Sequence, residues 1–145
     1  MPFDNNSNGT ITDFSSYRNN GEFSSNGTSG SLGGSNCRLG RCYSFNTTSN
    51  LSIQISPGIS LNLTNNLTVE VWANGSTANR WIIGRGDNAT TYSWSLAMSN
   101  GSLSSMRFCL NATNASCITS NATFSGANLQ HWVGKYDGTA MYLYQ

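Results

Sequence analysis

Short apolar runs that alternate with polar residues, each broken by Asn, Gly or Ser, recur along the whole chain, and no segment of about 10–12 residues carries a helical period. Such a pattern restricts the fold to an all-β, antiparallel β-sandwich. Leu67, Val69, Val71 and Ala73 fall on one face of a strand, with Thr68, Glu70 and Trp72 on the other. Tyr92, Trp94, Leu96 and Met98 alternate with Ser93, Ser95 and Ala97, and Met106, Phe108 and Leu110 alternate with Arg107 and Cys109. Further strands are expected at 42–45, 51–55, 81–85, 130–136 and 140–144. Asn74-Gly75, Asn100-Gly101 and Asp137-Gly138 have the chemistry of tight hairpin turns, where φ is positive. The segment 24–35 is almost entirely Ser, Gly, Asn and Thr and reads as a flexible loop or linker. At 145 residues the chain suits a single domain spanning 1–145.

The surface of such a domain needs solvation, and charge does not supply it. Only 9% of the residues are charged and Lys135 is the sole lysine, whereas soluble surfaces commonly carry about 25–35% Lys, Arg, Asp and Glu. N-x-S/T triplets take the place of charge, at Asn5, Asn8, Asn26, Asn46, Asn50, Asn62, Asn66, Asn74, Asn88, Asn100, Asn111, Asn114 and Asn121. The abundance of Ser and Thr would give roughly five by chance, so the excess points to a glycan-coated surface on an exported chain. The location implied is extracellular or at the cell surface.

Cysteine usage agrees. Cys37 and Cys42 enclose four residues, and Cys109 and Cys117 enclose seven that hold two triplets. Three pairings are open to four cysteines; the two local bridges, each stapling a hairpin, require the least assumption and fit an oxidising compartment. Neither spacing is the paired C-x₂-C of common zinc sites, and the lone His131 is distant in sequence.

Partners are narrowed by the same composition. With a net charge of +1 and arginines scattered from Arg18 to Arg107, no basic stripe follows a phosphate backbone, which argues against nucleic acid. No apolar run approaches the ~20 residues of a membrane span. Nothing before Asn20 resembles the apolar segment of a signal peptide, so either such a signal has been removed or the chain is part of a longer one.

Several phrases, taken in order, resemble a known family. Pro2-Phe3-Asp4, Gly9-Thr10 and Asp13-Phe14-Ser15 open the chain; Tyr43-Ser44-Phe45 leads through Asn46 to Leu51. Thr68-Val69-Glu70-Val71-Trp72 follows, and the chain closes with His131-Trp132-Val133, Tyr136-Asp137-Gly138 and Met141-Tyr142-Leu143-Tyr144. Together they resemble a laminin-G-like domain of the concanavalin A-like lectin/glucanase group, which implies a jelly-roll sandwich of two antiparallel sheets. Many members place acidic residues after the Ser-Phe strand. This chain has Asn46-Thr47-Thr48-Ser49-Asn50 there, whose neutral oxygens do not support calcium, the one cofactor the family suggests. Such domains usually continue past their closing Leu-Tyr strand, so the resemblance leads us to expect an incomplete sandwich, completed by further sequence or by strand addition from a neighbouring copy.

Catalysis finds no machinery. A glucanase of this group would need two carboxylates on one strand, but Glu22 and Glu70 are the only glutamates, and Asp4, Asp13, Asp87 and Asp137 fall near turns. A Ser-His-Asp triad would have to use His131, which belongs to the closing phrase. Arg85-Gly86-Asp87 spells an adhesion tripeptide, a weak motif without its loop context. Glu70 beside Trp72 could serve a sugar, though aromatics favour strands for packing alone. We therefore expect a non-catalytic, heavily N-glycosylated structural protein of a surface layer, sheath or filament, whose partners are copies of itself or the rest of a longer surface chain. The alternative is a carbohydrate-binding or adhesive lectin-like module whose partners are glycans.

Overall fold

The computed structural model describes residues 6–7, 10–24, 31–33, 37–38, 40–45, 52–61, 63, 65–75, 80–88, 91–99, 105–110, 116–124 and 128–145. These form antiparallel sheets, with one short 3₁₀ turn at Ile59–Leu61. Among them no helix is long and apolar enough to cross a membrane. Two compact units divide the chain, Met1–Asn62 and Leu63–Gln145.

In the first unit, β1 (Asn6–Ser7), β2 (Thr10–Ile11), β3 (Gly21–Phe23) and β6 (Ile53–Ile55) form one sheet in the order β1-β2-β3-β6. A hairpin of β4 (Ser31–Gly33) and β5 (Cys42–Ser44) stands beside it in sequence, with Gly33 opposite Cys42. The Cys37–Cys42 disulfide closes that hairpin. Strand β4 lies inside the 24–35 segment that composition alone reads as a linker, so at 31–33 that reading is corrected: pairing with β5 overrides weak local propensity. The remainder, 25–30 and 34–36, lies outside the described residues. The Asp13 carboxylate accepts from the backbone N–H groups of Ser15 and Asn19 and from the Ser15 hydroxyl, at 2.9, 2.8 and 2.7 Å. Those bonds, led by Ser15, hold its pKa below the ordinary carboxylate value and fix the turn between β2 and β3.

The second unit is a β-sandwich. One sheet runs β11-β10-β9-β8, from Cys117–Thr123, Ser105–Leu110, Thr91–Met98 and Trp81–Asn88; the other runs β13-β12-β7, from Met141–Tyr144, Gln130–Tyr136 and Leu67–Ala73. Strand β7 alternates as its sequence demands, Leu67 and Val69 inward and Thr68, Glu70 and Trp72 exposed. Between the sheets lie Leu67, Val69, Trp94, Leu96, Met98, Met106, Phe108, Phe124 and Trp132. Burying each large side chain contributes about 1.5–3 kcal/mol. Gly134 on β12 has no side chain because Phe108 occupies its space: a Cβ there would lie 2.6 Å from the ring.

Strand β9 departs from simple alternation. Ser95 and Ala97 are buried as fully as Trp94, Leu96 and Met98. Their face of the sheet carries Cys109 and the Cys109–Cys117 disulfide opposite Ser95, and the Trp81 ring lies against Gly84. The strand is therefore covered on both sides. Asn74-Gly75 also differs from expectation: it leads from β7 of one sheet to β8 of the other, so no hairpin forms there. Asn100-Gly101 lies outside the described residues.

Asp137-Gly138 does form the β12–β13 hairpin turn. The Asp137 carboxylate accepts from the backbone N–H of Ala140 and Thr139 at 2.8 and 2.9 Å, and Gly138 adopts φ of 95°. Hydrogen bonds from Ala140, then Thr139, lower the Asp137 pKa. Their contribution is therefore complete above the ordinary carboxylate pKa and lost as pH falls through the depressed one. Gly138→Ala would place a Cβ 3.2 Å from the Asn66 amide in a backbone region L-residues avoid. We expect it to cost about 1–2 kcal/mol, read as a lowered denaturant midpoint.

Candidate functional site

The outer face of the β7–β12–β13 sheet gathers polar and aromatic side chains that local sequence keeps apart. In register, Trp72 lies opposite His131, Glu70 opposite Val133, and Thr68 opposite Lys135. On the far side of β12, Val133 lies opposite Tyr144 and Lys135 opposite Tyr142. Because side chains alternate across a strand, all eight project from the same face.

Their contacts organise the surface into two aromatic pairs flanking a lower centre. The Trp72 and His131 rings stack with centroids 4.9 Å apart and planes 20° apart. The His131 Nε2 lies 3.4 Å from Glu70 Oε2. Tyr142 and Tyr144 stand nearly parallel, 9° apart with centroids at 6.2 Å, and the Lys135 Nζ lies 5.8 Å from the Tyr142 ring centroid. Tyr142 is hydrogen-bonded to Asp137, which raises the phenol pKa above its ordinary value and ties the ring to the turn. Trp72, Tyr142 and Tyr144 are 45%, 38% and 51% exposed. Half-buried Val133 is the short side chain between the pairs. The face thus offers apolar ring surface, a carboxylate acceptor and an ammonium donor within one patch.

Sequence singles out Glu70 with Trp72 on one strand face, and His131 apart from them. What it could not supply was their meeting across β7 and β12, or the addition of Lys135, Tyr142 and Tyr144, because strand partners are not encoded in a strand's own alternation. Among the described residues the carboxylates do not gather: Glu22 lies in β3, Asp13 and Asp137 serve their turns, and no three His, Cys, Asp or Glu side chains could hold a metal. The calcium question at 46–50 lies outside those residues, as does Asp4. Arg85-Gly86-Asp87 lies within β8, whose register shifts at Arg85/Gly86 and again at Gly86/Asn88.

Both disulfides pair locally, Cys37 with Cys42 and Cys109 with Cys117. Of the triplet asparagines, Asn66, Asn74 and Asn121 are exposed and Asn88 ends β8. With its amide oriented to match donors with acceptors, the Asn66 nitrogen faces the Asn65 and Asp137 carbonyls at 3.1 and 3.0 Å. Asn5, Asn8, Asn26, Asn46, Asn50, Asn62, Asn100, Asn111 and Asn114 lie outside the described residues.

The family described as the concanavalin A-like lectin/glucanases superfamily matches residues 46–145. No curated protein and no solved structure matches the chain.

Proposed function

The chain belongs to the concanavalin A-like lectin/glucanases superfamily, and from that premise we propose that it is a non-catalytic, N-glycosylated extracellular adhesive module that holds glycans on the outer face of its β7–β12–β13 sheet. Domains of the laminin-G type are generally non-catalytic. The observation that carries the proposal is the grouping of Trp72, His131, Tyr142 and Tyr144 with Glu70 and Lys135 on one exposed face. A pyranose ring presents C–H groups that pack on aromatic carbon and a rim of hydroxyls that seek charged donors and acceptors; this patch has both. No N-x-S/T triplet begins in 122–145, which supplies four of the six residues, while the triplet asparagines Asn66 and Asn74 bracket the two on β7. Paired cysteines support an extracellular setting.

Retention of the secreted protein on immobilised neutral glycans tests the proposal. Trp72→Ala and Tyr144→Ala, both on exposed positions, should each weaken retention at least about tenfold, the effect of losing about 1.4 kcal/mol, while leaving the denaturant midpoint nearly unchanged. Retention that survives both substitutions, or a wild-type protein held by no glycan, would refute it.

A structural subunit of a surface layer, sheath or filament is the second reading. It is favoured by the edges of β7, β8, β11 and β13, each of which has a strand neighbour on one side only among the described residues. Polymers of the native material under the electron microscope, joined edge to edge, would turn the choice toward it.

A further inference from the structure

Glycosylation, which the proposed function includes, takes on a specific task at one of the open edges. Strand β11 borders β10 on one side and has no strand on the other among the described residues. Its free side and β13 flank a groove of about 480 Å³ lined by Ile118, Ala122, Trp132, Met141 and Leu143, with Asn121 at the rim. An open strand edge beside apolar surface is a template for pairing with another chain. Proteins commonly blunt such an edge with a bulge, a charge or a cover.

Here the bulge is present and charge is not. Ser105 pairs with Thr123 and Arg107 with Thr119, so Ser120, Asn121 and Ala122 together oppose the single residue Met106. The Ser120 hydroxyl holds this irregularity: it accepts the Met106 N–H at 3.1 Å and donates to the Ala122 carbonyl at 2.8 Å. A bulge bends the strand and re-aims the side chain at its apex. That side chain is Asn121, exposed, and the first residue of Asn121-Ala122-Thr123. The other described triplets also mark edge strands, Asn66 and Asn74 at the two ends of β7 and Asn88 at the end of β8. Asn121 lies inside its strand with its side chain exposed.

We propose that the Asn121 amide carries an N-linked oligosaccharide that closes the β11 edge and the adjoining groove to pairing with a second copy of the chain. In the modification, the amide nitrogen bonds to the anomeric carbon of a lipid-diphosphate oligosaccharide donor. The carbon–oxygen bond to the diphosphate breaks, that oxygen leaves with the electron pair, and the amide loses one proton; nothing is oxidised or reduced. The glycan is hydrated and bulky, and a second strand cannot approach the bulge without desolvating it.

The test uses the whole chain secreted from a glycosylating host, with glycopeptide mass spectrometry for occupancy and sedimentation velocity for association. We expect the peptide holding Asn121 to be glycosylated in most molecules and the protein to sediment as a monomer. Asn121→Gln and Thr123→Ala, two independent ways to remove the triplet, should each tighten self-association at least about tenfold, whereas Thr123→Ser should retain both glycan and monomer. Enzymatic trimming of the folded wild-type protein should act as the substitutions do, which keeps the test valid if a variant misfolds. Other asparagines occupied with Asn121 bare would overturn the inference, as would an occupied Asn121 whose removal leaves a monomer. A chain bare at every asparagine would overturn the glycosylation reading on which the inference rests.

Discussion

Phe108→Ala should lower the stability of the second unit by about 3–5 kcal/mol, a large part of the about 5–15 kcal/mol that a domain commonly has. Phe108 is fully buried on β10, and its ring lies over Gly134 of the facing sheet. Truncation would remove the ring from the core and leave a cavity that two hydrogen-bonded sheets cannot close by moving together. The complementary change crowds the same place. Gly134→Ala puts a Cβ 2.6 Å from Phe108 Cδ2 and 2.8 Å from Cγ, and overpacking of that kind costs about 1–3 kcal/mol. The two changes should couple, since the added methyl enters the space the lost ring vacates. We expect Phe108→Ala/Gly134→Ala to be at least about 1 kcal/mol more stable than the sum of the single variants, measured by denaturant unfolding. Strict additivity would mean that the ring does not pack on the glycine.

Removing the Cys109–Cys117 bridge, as Cys109→Ala/Cys117→Ala, should cost about 2.5 kcal/mol by the loop-closure relation for a separation of 8. The two residues are direct partners in the β10–β11 register, with Cα atoms 4.1 Å apart, so the bridge restrains the unfolded chain without reshaping the hairpin. Cys37→Ala/Cys42→Ala opens a shorter loop, with a separation of 5, and should cost about 2 kcal/mol in the first unit. Paired measurements of unfolding midpoint on the two variants would check this. A loss below about 0.5 kcal/mol for the longer loop would reject unfolded-state restraint as its main effect.

Both bridges could be anticipated because each lies within a hairpin, where nearness in sequence becomes nearness in space. The β12–β13 turn was equally legible. Asp137 supplies the carboxylate that caps its own turn and Gly138 the positive φ, so every interaction that shapes it lies within a few residues. Strand β11, by contrast, has no strong alternation, and Ser31–Gly33 has the composition of a linker. Each is a strand because of the neighbour it pairs with.

The sequence by itself determined that this chain is all-β, where its clearest strand β7 runs and which face of it turns inward. A period of two is a property of the backbone and needs no partner to be read. Tertiary structure alone decided that β7 lies beside β12, so that Trp72 meets His131 and Tyr142 and Tyr144 join the same face. It also decided that both faces of β9 are covered and that Asn121 sits at the apex of a bulge. Those outcomes depend on which distant segments bury the most surface together, and that choice is made by the whole set of contacts at once, not by the pattern within any one strand.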